Sequence, residues 1–384
     1  MIKFNILFLL LALFIASCSK EKARIPDENF EKALIKEGLD SEQDGFIVLT
    51  EKIAKTTSLN ISSNNIRQLT GIEYFTGLKD LDCSNNKLES LDISKNSKLE
   101  ILDCSKNYLK AIDVSSNADL EGLICNTNYI DYLDVSKNKK LTLLYCFKNY
   151  LASLNVSQNP LLKELLCQNQ RSKGPVTRGG PKNLPWGEDD NNSSSLQTLD
   201  LSKNPELFEL NCSDNNLSTL DISNNKYLGK LRCYGNRLET LNVSNNTVLR
   251  ELACRNNLIK YLDVSNNQFL EELYCQSNQI QSLYLVNNKE LNTLYCSNNQ
   301  ISALDIFQNH RLVKLVCDNT VSDYSNLHFF ISLNRLNSDQ SVKSTQSNLD
   351  LERIKKIGYW LIGLLAFLIV AKIIKNMNEK PTAG

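Results

Sequence analysis

The chain has 384 residues, with 43 lysines and arginines against 43 aspartates and glutamates, so its formal net charge is zero. A chain with no basic excess and no basic stripe lacks the electrostatic footprint of a nucleic-acid binder. Its two histidines, His310 and His328, have no nucleophile or carboxylate at a recognisable spacing, and no phosphate-binding glycine loop appears, so nothing points to an enzyme.

The N-terminus starts with Met1-Ile2-Lys3 and an apolar run from Ile6 to Ile15, followed by Ala16-Ser17-Cys18-Ser19. That run is too short for a mature span and reads as a signal peptide over 1–17. Ile15-Ala-Ser-Cys looks like the lipobox of bacterial lipoproteins, which implies lipidation of Cys18.

Residues 18–56 read as a helical cap, with short helices over Asn29–Glu37 and Glu51–Lys55. Between them, Asp40-Ser-Glu42-Gln-Asp44-Gly45-Phe46 and Glu51 have the spacing of an EF-hand calcium loop. Side-chain oxygens stand at positions 1, 3 and 5, glycine at 6, a backbone carbonyl (Phe46) at 7 and glutamate at 12. A structural calcium ion on Asp40, Glu42, Asp44, Phe46 and Glu51 is one reading. A solvated acidic loop on a shielding cap is the other.

From residue 57 the sequence repeats. Cys83, Cys104, Cys125, Cys146, Cys167, Cys212, Cys233, Cys254, Cys275, Cys296 and Cys317 are 21 residues apart with one interruption, a period that marks a solenoid of stacked coils. Each cysteine sits where an apolar residue belongs, and Ile61 takes that place one repeat earlier. The thiols therefore read as a buried column rather than as disulfide partners. Leu81-Asp82-Cys83 alternates as a half-buried strand does. Asparagine follows three residues after most cysteines (Asn86, Asn107, Asn128 and on), with Gln170 and Thr320 as departures, and reads as a ladder serving backbone groups of adjacent coils. A second extended run, Leu91-Asp92-Ile93-Ser94, closes the coil with its own asparagines (Asn96, Asn117, Asn138). Val286 and Phe307 replace its serine, which reads as decay toward a capped end.

Leu-x-x-Leu-x-Cys-x-x-Asn-x-Leu, recurring over roughly residues 25–335, resembles the bacterial leucine-rich repeats of internalin-like proteins. The resemblance implies an α/β solenoid: a curved, right-handed coil with a parallel sheet on its concave face, holding a macromolecule, often a protein. The solenoid spans 57–333.

Cys167 and Cys212 are 45 residues apart, one repeat plus 24, so a loop is inserted at 171–194 around Trp186. The residues beside each inward leucine and cysteine face the concave surface. Ile124, Tyr145, Phe147 and Leu166 make one apolar cluster there, Tyr274, Tyr295 and Val316 a second, and Tyr234 lies between them. With Trp186 they form the expected binding face, since a contiguous patch of this kind marks an interaction site. Stacking within the sheet is the plainer alternative.

After a serine-rich linker (334–356), residues 357–374 form an apolar stretch of 18, or about 27 Å as helix, near the lower limit for a membrane span, and 375–384 form a basic tail. The expectation is a recognition protein of a bacterial cell envelope, anchored by this helix and by lipidated Cys18. Its repeats lie outside the cytoplasm, with a protein or glycan ligand. A structural scaffold or spacer is the alternative.

Overall fold

The computed structural model describes residues 21–170 and 196–318. The signal peptide, Cys18, the 171–194 loop with Trp186, Thr320 and the 357–374 stretch lie outside the described residues. No helix among the described residues is long and apolar enough to cross a membrane.

The cap is built by local chemistry. Asp27 caps helix α1 (Glu28–Lys36): its Oδ1 accepts from the N–H groups of Asn29 and Phe30 at 2.9 and 3.1 Å. Helix α1 buries Phe30, Ala33 and Leu34 on one face. Thr50 caps the shorter α2 (Glu51–Lys55), which buries Ile53. Flanking α1 are two strands, β1 (Lys22–Arg24) and β2 (Phe46–Val48), paired antiparallel. Both helices agree with the sequence reading, while the strand pair was not legible in three-residue stretches.

Twelve further strands form one parallel sheet in sequence order. They are β3 (Ser58–Asn60), β4 (Asp80–Asp82), β5 (Ile101–Asp103), β6 (Gly122–Ile124), β7 (Leu143–Tyr145) and β8 (Glu164–Leu166), followed by β9 (Glu209–Asn211), β10 (Lys230–Arg232), β11 (Glu251–Ala253), β12 (Glu272–Tyr274), β13 (Thr293–Tyr295) and β14 (Lys314–Val316). The central leucines pair in register, Leu81 with Leu102 and Leu102 with Leu123. The insertion does not break the sheet, because Leu165 still pairs with Leu210.

The thiols from Cys83 to Cys296 are buried, Cys317 is half-buried, and none is in a disulfide. The inner asparagines act as a ladder. Asn107 Nδ2 donates to the carbonyls of Cys83 and Cys104 at 3.0 and 3.1 Å, and its Oδ1 accepts from Leu88 N–H at 3.0 Å. Gln170 is no break in it: Nε2 reaches the carbonyls of Cys146 and Cys167, and Oε1 accepts from Leu151 N–H. The residue before each ladder amide turns the chain through the left-handed region, with φ of 53–61° at Asn85, Lys106, Thr127, Lys148 and Asn169.

Two expectations are corrected. Among the described residues helix is confined to the cap and one 3-10 turn (Ile72–Tyr74), so the coils close through turns and the α/β description fails for the repeats. The outer run is also no strand, apart from one isolated bridge between Asp134 and Asn155. Each outer aspartate instead accepts from the N–H two residues on, as Asp92 does from Ser94 at 3.0 Å and Asp305 from Phe307 at 2.9 Å, which spends the backbone locally. The coils carrying Val286 and Phe307 remain regular: β13 pairs with β14, and Asn309 still donates to the carbonyls of Leu285 and Asn288.

Candidate recognition face

In each strand of the sheet the middle residue is buried (half-buried for Leu315 of β14) and the two flanking residues stand on the solvent side, the alternation that a pleated strand imposes. The register lines up Ile124, Tyr145 and Leu166 on β6, β7 and β8. All three are half-buried, as are Leu143 and Phe147. The second cluster is also continuous: Tyr274, Tyr295 and Val316 are in register, and the two tyrosine rings lie 5.3 Å apart. Tyr234 is half-buried, with the Arg255 guanidinium 4.0 Å from its ring centre. Next to it, Gly235 turns with φ +64°, and a Cβ there would fall 2.3 Å from Asp214 Oδ1. Each cluster that the sequence suggested is thus continuous on the sheet; Trp186 lies outside the described residues.

The charges between the clusters were missed. Glu164, Glu209, Lys230, Glu251 and Glu272 occupy the first position of their strands and Arg232 the third, on either side of the buried leucine, which alternation puts on the same face. Arg232 bridges Glu209 (2.8 Å) and Glu251 (2.6 and 2.8 Å), with Lys230 3.7 Å from Glu209. Tyr145 donates its hydroxyl to Glu164 at 2.5 Å and Tyr274 to Glu272 at 2.8 Å. Burial first, then the carboxylate accepting its proton, pushes the Tyr274 phenol up to about 12 and raises Tyr145 in the same direction. Both rings are therefore neutral donors at physiological pH. The face presents apolar surface at two places, separated by a hydrogen-bonded belt of carboxylates around one guanidinium.

The calcium reading meets a different geometry. Asp44 Oδ2 accepts from Lys22 Nζ at 2.7 Å, and Oδ1 accepts from Phe46 N–H. Asp40 Oδ1 accepts from Ser41 N–H, Glu51 pairs with Lys55 at 2.6 Å, and Phe46 is tied into β2 opposite Arg24. Glu31 Oε1 takes the loop N–H groups of Asp44 and Gly45 at 2.9 and 2.5 Å. Among the described residues no three or more His, Cys, Asp or Glu side chains are placed to hold a metal ion. The residues do not fit calcium as arranged.

No family model matches the sequence, and no curated protein matches it. Solved structures do. The functional domain of InlJ from Listeria monocytogenes, which includes a cysteine ladder, is 29% identical with a TM-score of 0.70 over 79% of this chain and 62% of that one. The chain therefore spans less than two thirds of that relative's length. The internalin InlF from Listeria monocytogenes is 19% identical, TM-score 0.58, over 79% of this chain and 97% of that one. The plant peptide hormone receptor RGFR1, solved in complex with RGF2, is 20% identical, TM-score 0.52, over 68% and 47%. The repeat, the twelve-stranded sheet and the column of buried thiols together make this chain a leucine-rich-repeat solenoid similar to internalins.

Proposed function

We propose that the protein is a recognition module of the bacterial envelope that binds a protein partner on the solvent face of its sheet. The observation that carries this reading is the continuous apolar patch of Ile124, Leu143, Tyr145, Phe147 and Leu166 over three strands in register. The repeat does not require it: the coil's own core is complete without these side chains, and the equivalent positions elsewhere hold Asp82, Asp103 and Asn211. A neighbour of this fold, the plant peptide hormone receptor RGFR1, was solved in complex with RGF2, which supports a ligand-binding reading. Anchoring by 357–374 and by Cys18, and exposure of the repeats outside the cytoplasm, belong to the same proposal and rest on the sequence alone.

A photo-cross-linking residue at Tyr145 should yield a discrete adduct in intact cells, and one at Tyr132, 68% exposed and off the sheet, should not. Replacing Tyr145, Phe147 and Leu166 by serine should remove a wild-type interaction while lowering Tm little. The same adducts at both positions, or none, would defeat the proposal. The internally satisfied belt of Tyr145–Glu164, Glu209–Arg232–Glu251 and Tyr274–Glu272 favours a second reading, a scaffold whose face is stabilised for its own sake. A large Tm loss in the triple variant, together with no adduct from the cross-linker at Tyr145 in the otherwise wild-type chain, would support it.

A further inference from the structure

We propose that the ammonium of Lys22 takes the place of a divalent cation in the acidic loop of the cap, so that the cap is ordered without calcium. The loop from Asp40 to Glu51 has the spacing of a calcium loop, yet Asp44 and Glu51 are committed to the protein cations Lys22 and Lys55. Lys22 lies on β1, held against β2 by the antiparallel pairing, and its side chain reaches back into the loop to Asp44 at 2.7 Å. The hydrogen bond and charge of Asp44, then the charges of Glu42 and Asp40, hold the Lys22 ammonium above its ordinary pKa, so all three acidic residues of the loop act on it. Asp40 Oδ2 is buried without a hydrogen-bond partner, which leaves its charge to be balanced through space. On the other side of the loop, Glu31 is 2% exposed and accepts from two loop N–H groups, while Glu51 has turned to Lys55. The tethered ammonium thus offsets part of the loop's negative charge, and the internal Glu31 carboxylate fixes the turn at Gly45 by accepting from its N–H, two tasks that an ion performs elsewhere.

The test uses the full-length protein and calcium alone as the probe, read by amide exchange over residues 22–48 and by Tm. Calcium loops bind down to about millimolar affinity, so millimolar calcium and a chelator bracket the range. In the wild type both readouts should be the same in the two conditions. In Lys22→Met, exchange of the β1–β2 amides should speed up roughly two- to fivefold in chelator, the scale of a surface ion pair. Calcium should then restore it. A saturable response of the wild type to calcium, lost in Asp44→Asn, would overturn the proposal. So would a loosened Lys22→Met hairpin that calcium does not restore, since Lys22 would then be a strand anchor only. An unchanged Lys22→Met hairpin would overturn it as well.

Discussion

The two asparagine columns look alike in sequence but are bonded differently. Asn128, on the inner column, donates to the carbonyls of Cys104 and Cys125 and accepts from Leu109 N–H, so its amide is fully used. Asn138, on the outer column, donates to the carbonyls of Val114 and Asn117, but its Oδ1 has no partner in the protein. Each buried backbone group left unsatisfied costs about 1–3 kcal/mol. Asn128→Ala strands the Leu109 N–H, while the Cys104 and Cys125 carbonyls keep Asn107 and Asn149 as donors, and should lose about 1–3 kcal/mol. Asn138→Ala strands none, because the Val114 and Asn117 carbonyls still accept from the N–H groups of Asn117 and Leu120, and should lose less, a difference in order that urea unfolding would check. The thiols give a second residue-scale prediction. Burial pushes Cys125, Cys212 and Cys254 up to about 12, so their reactive thiolate is scarce at neutral pH. Of the eleven repeat cysteines, half-buried Cys317 should be alkylated first in the native protein, and peptide mapping should find the other ten unreacted until unfolding. Burial of the thiols and the inner ladder were readable from spacing. The difference between the columns was not, because it depends on which N–H groups the turn leaves open.

At the scale of the element, the cap is joined to the first coil by one carboxylate. Asp27 Oδ1 caps α1, and Oδ2 accepts from the N–H groups of Arg67 and Gln68 at 2.7 and 3.2 Å. Asp27→Ala removes an N-cap worth about 1 kcal/mol and leaves two further N–H groups without their acceptor. Protease cutting within 21–56 should rise, while amide protection in β6 to β12 should change little, because coils report mainly on their neighbours. The helix start was legible in Asp27-Glu28-Asn29. The bridge to residues 40 positions away was not, since no local pattern announces it. The recognition face divides in the same way: alternation found its aromatic clusters, and attention to size over charge missed the Glu209–Arg232–Glu251 belt on the strand positions beside them.

Over the whole molecule, the outer turns form a titratable column. Asp92, Asp134, Asp200, Asp221 and Asp263 are held below the ordinary carboxylate range by the backbone N–H and then the hydroxyl of the serine two residues on; at Asp113 the hydroxyl leads. A carboxylate whose folded pKa is depressed adds stability above its unfolded value of about 3.9. That stability is lost as pH falls through the folded pKa. Two coils already dispense with the charge: Asn155 and Asn242 stand at the same position and accept from the N–H groups of Ser157 and Ser244 at 3.0 Å. Replacing all six aspartates by asparagine should therefore keep the turns and flatten the acid limb. Wild-type Tm should fall steeply below about pH 4, and the sixfold variant should fall less. At the acid end the two proteins carry the same charge, so a difference there reports the turns and not net charge. Equal slopes would mean that acid acts elsewhere in the molecule. A variant already destabilised at neutral pH would mean that the turns need the carboxylate itself.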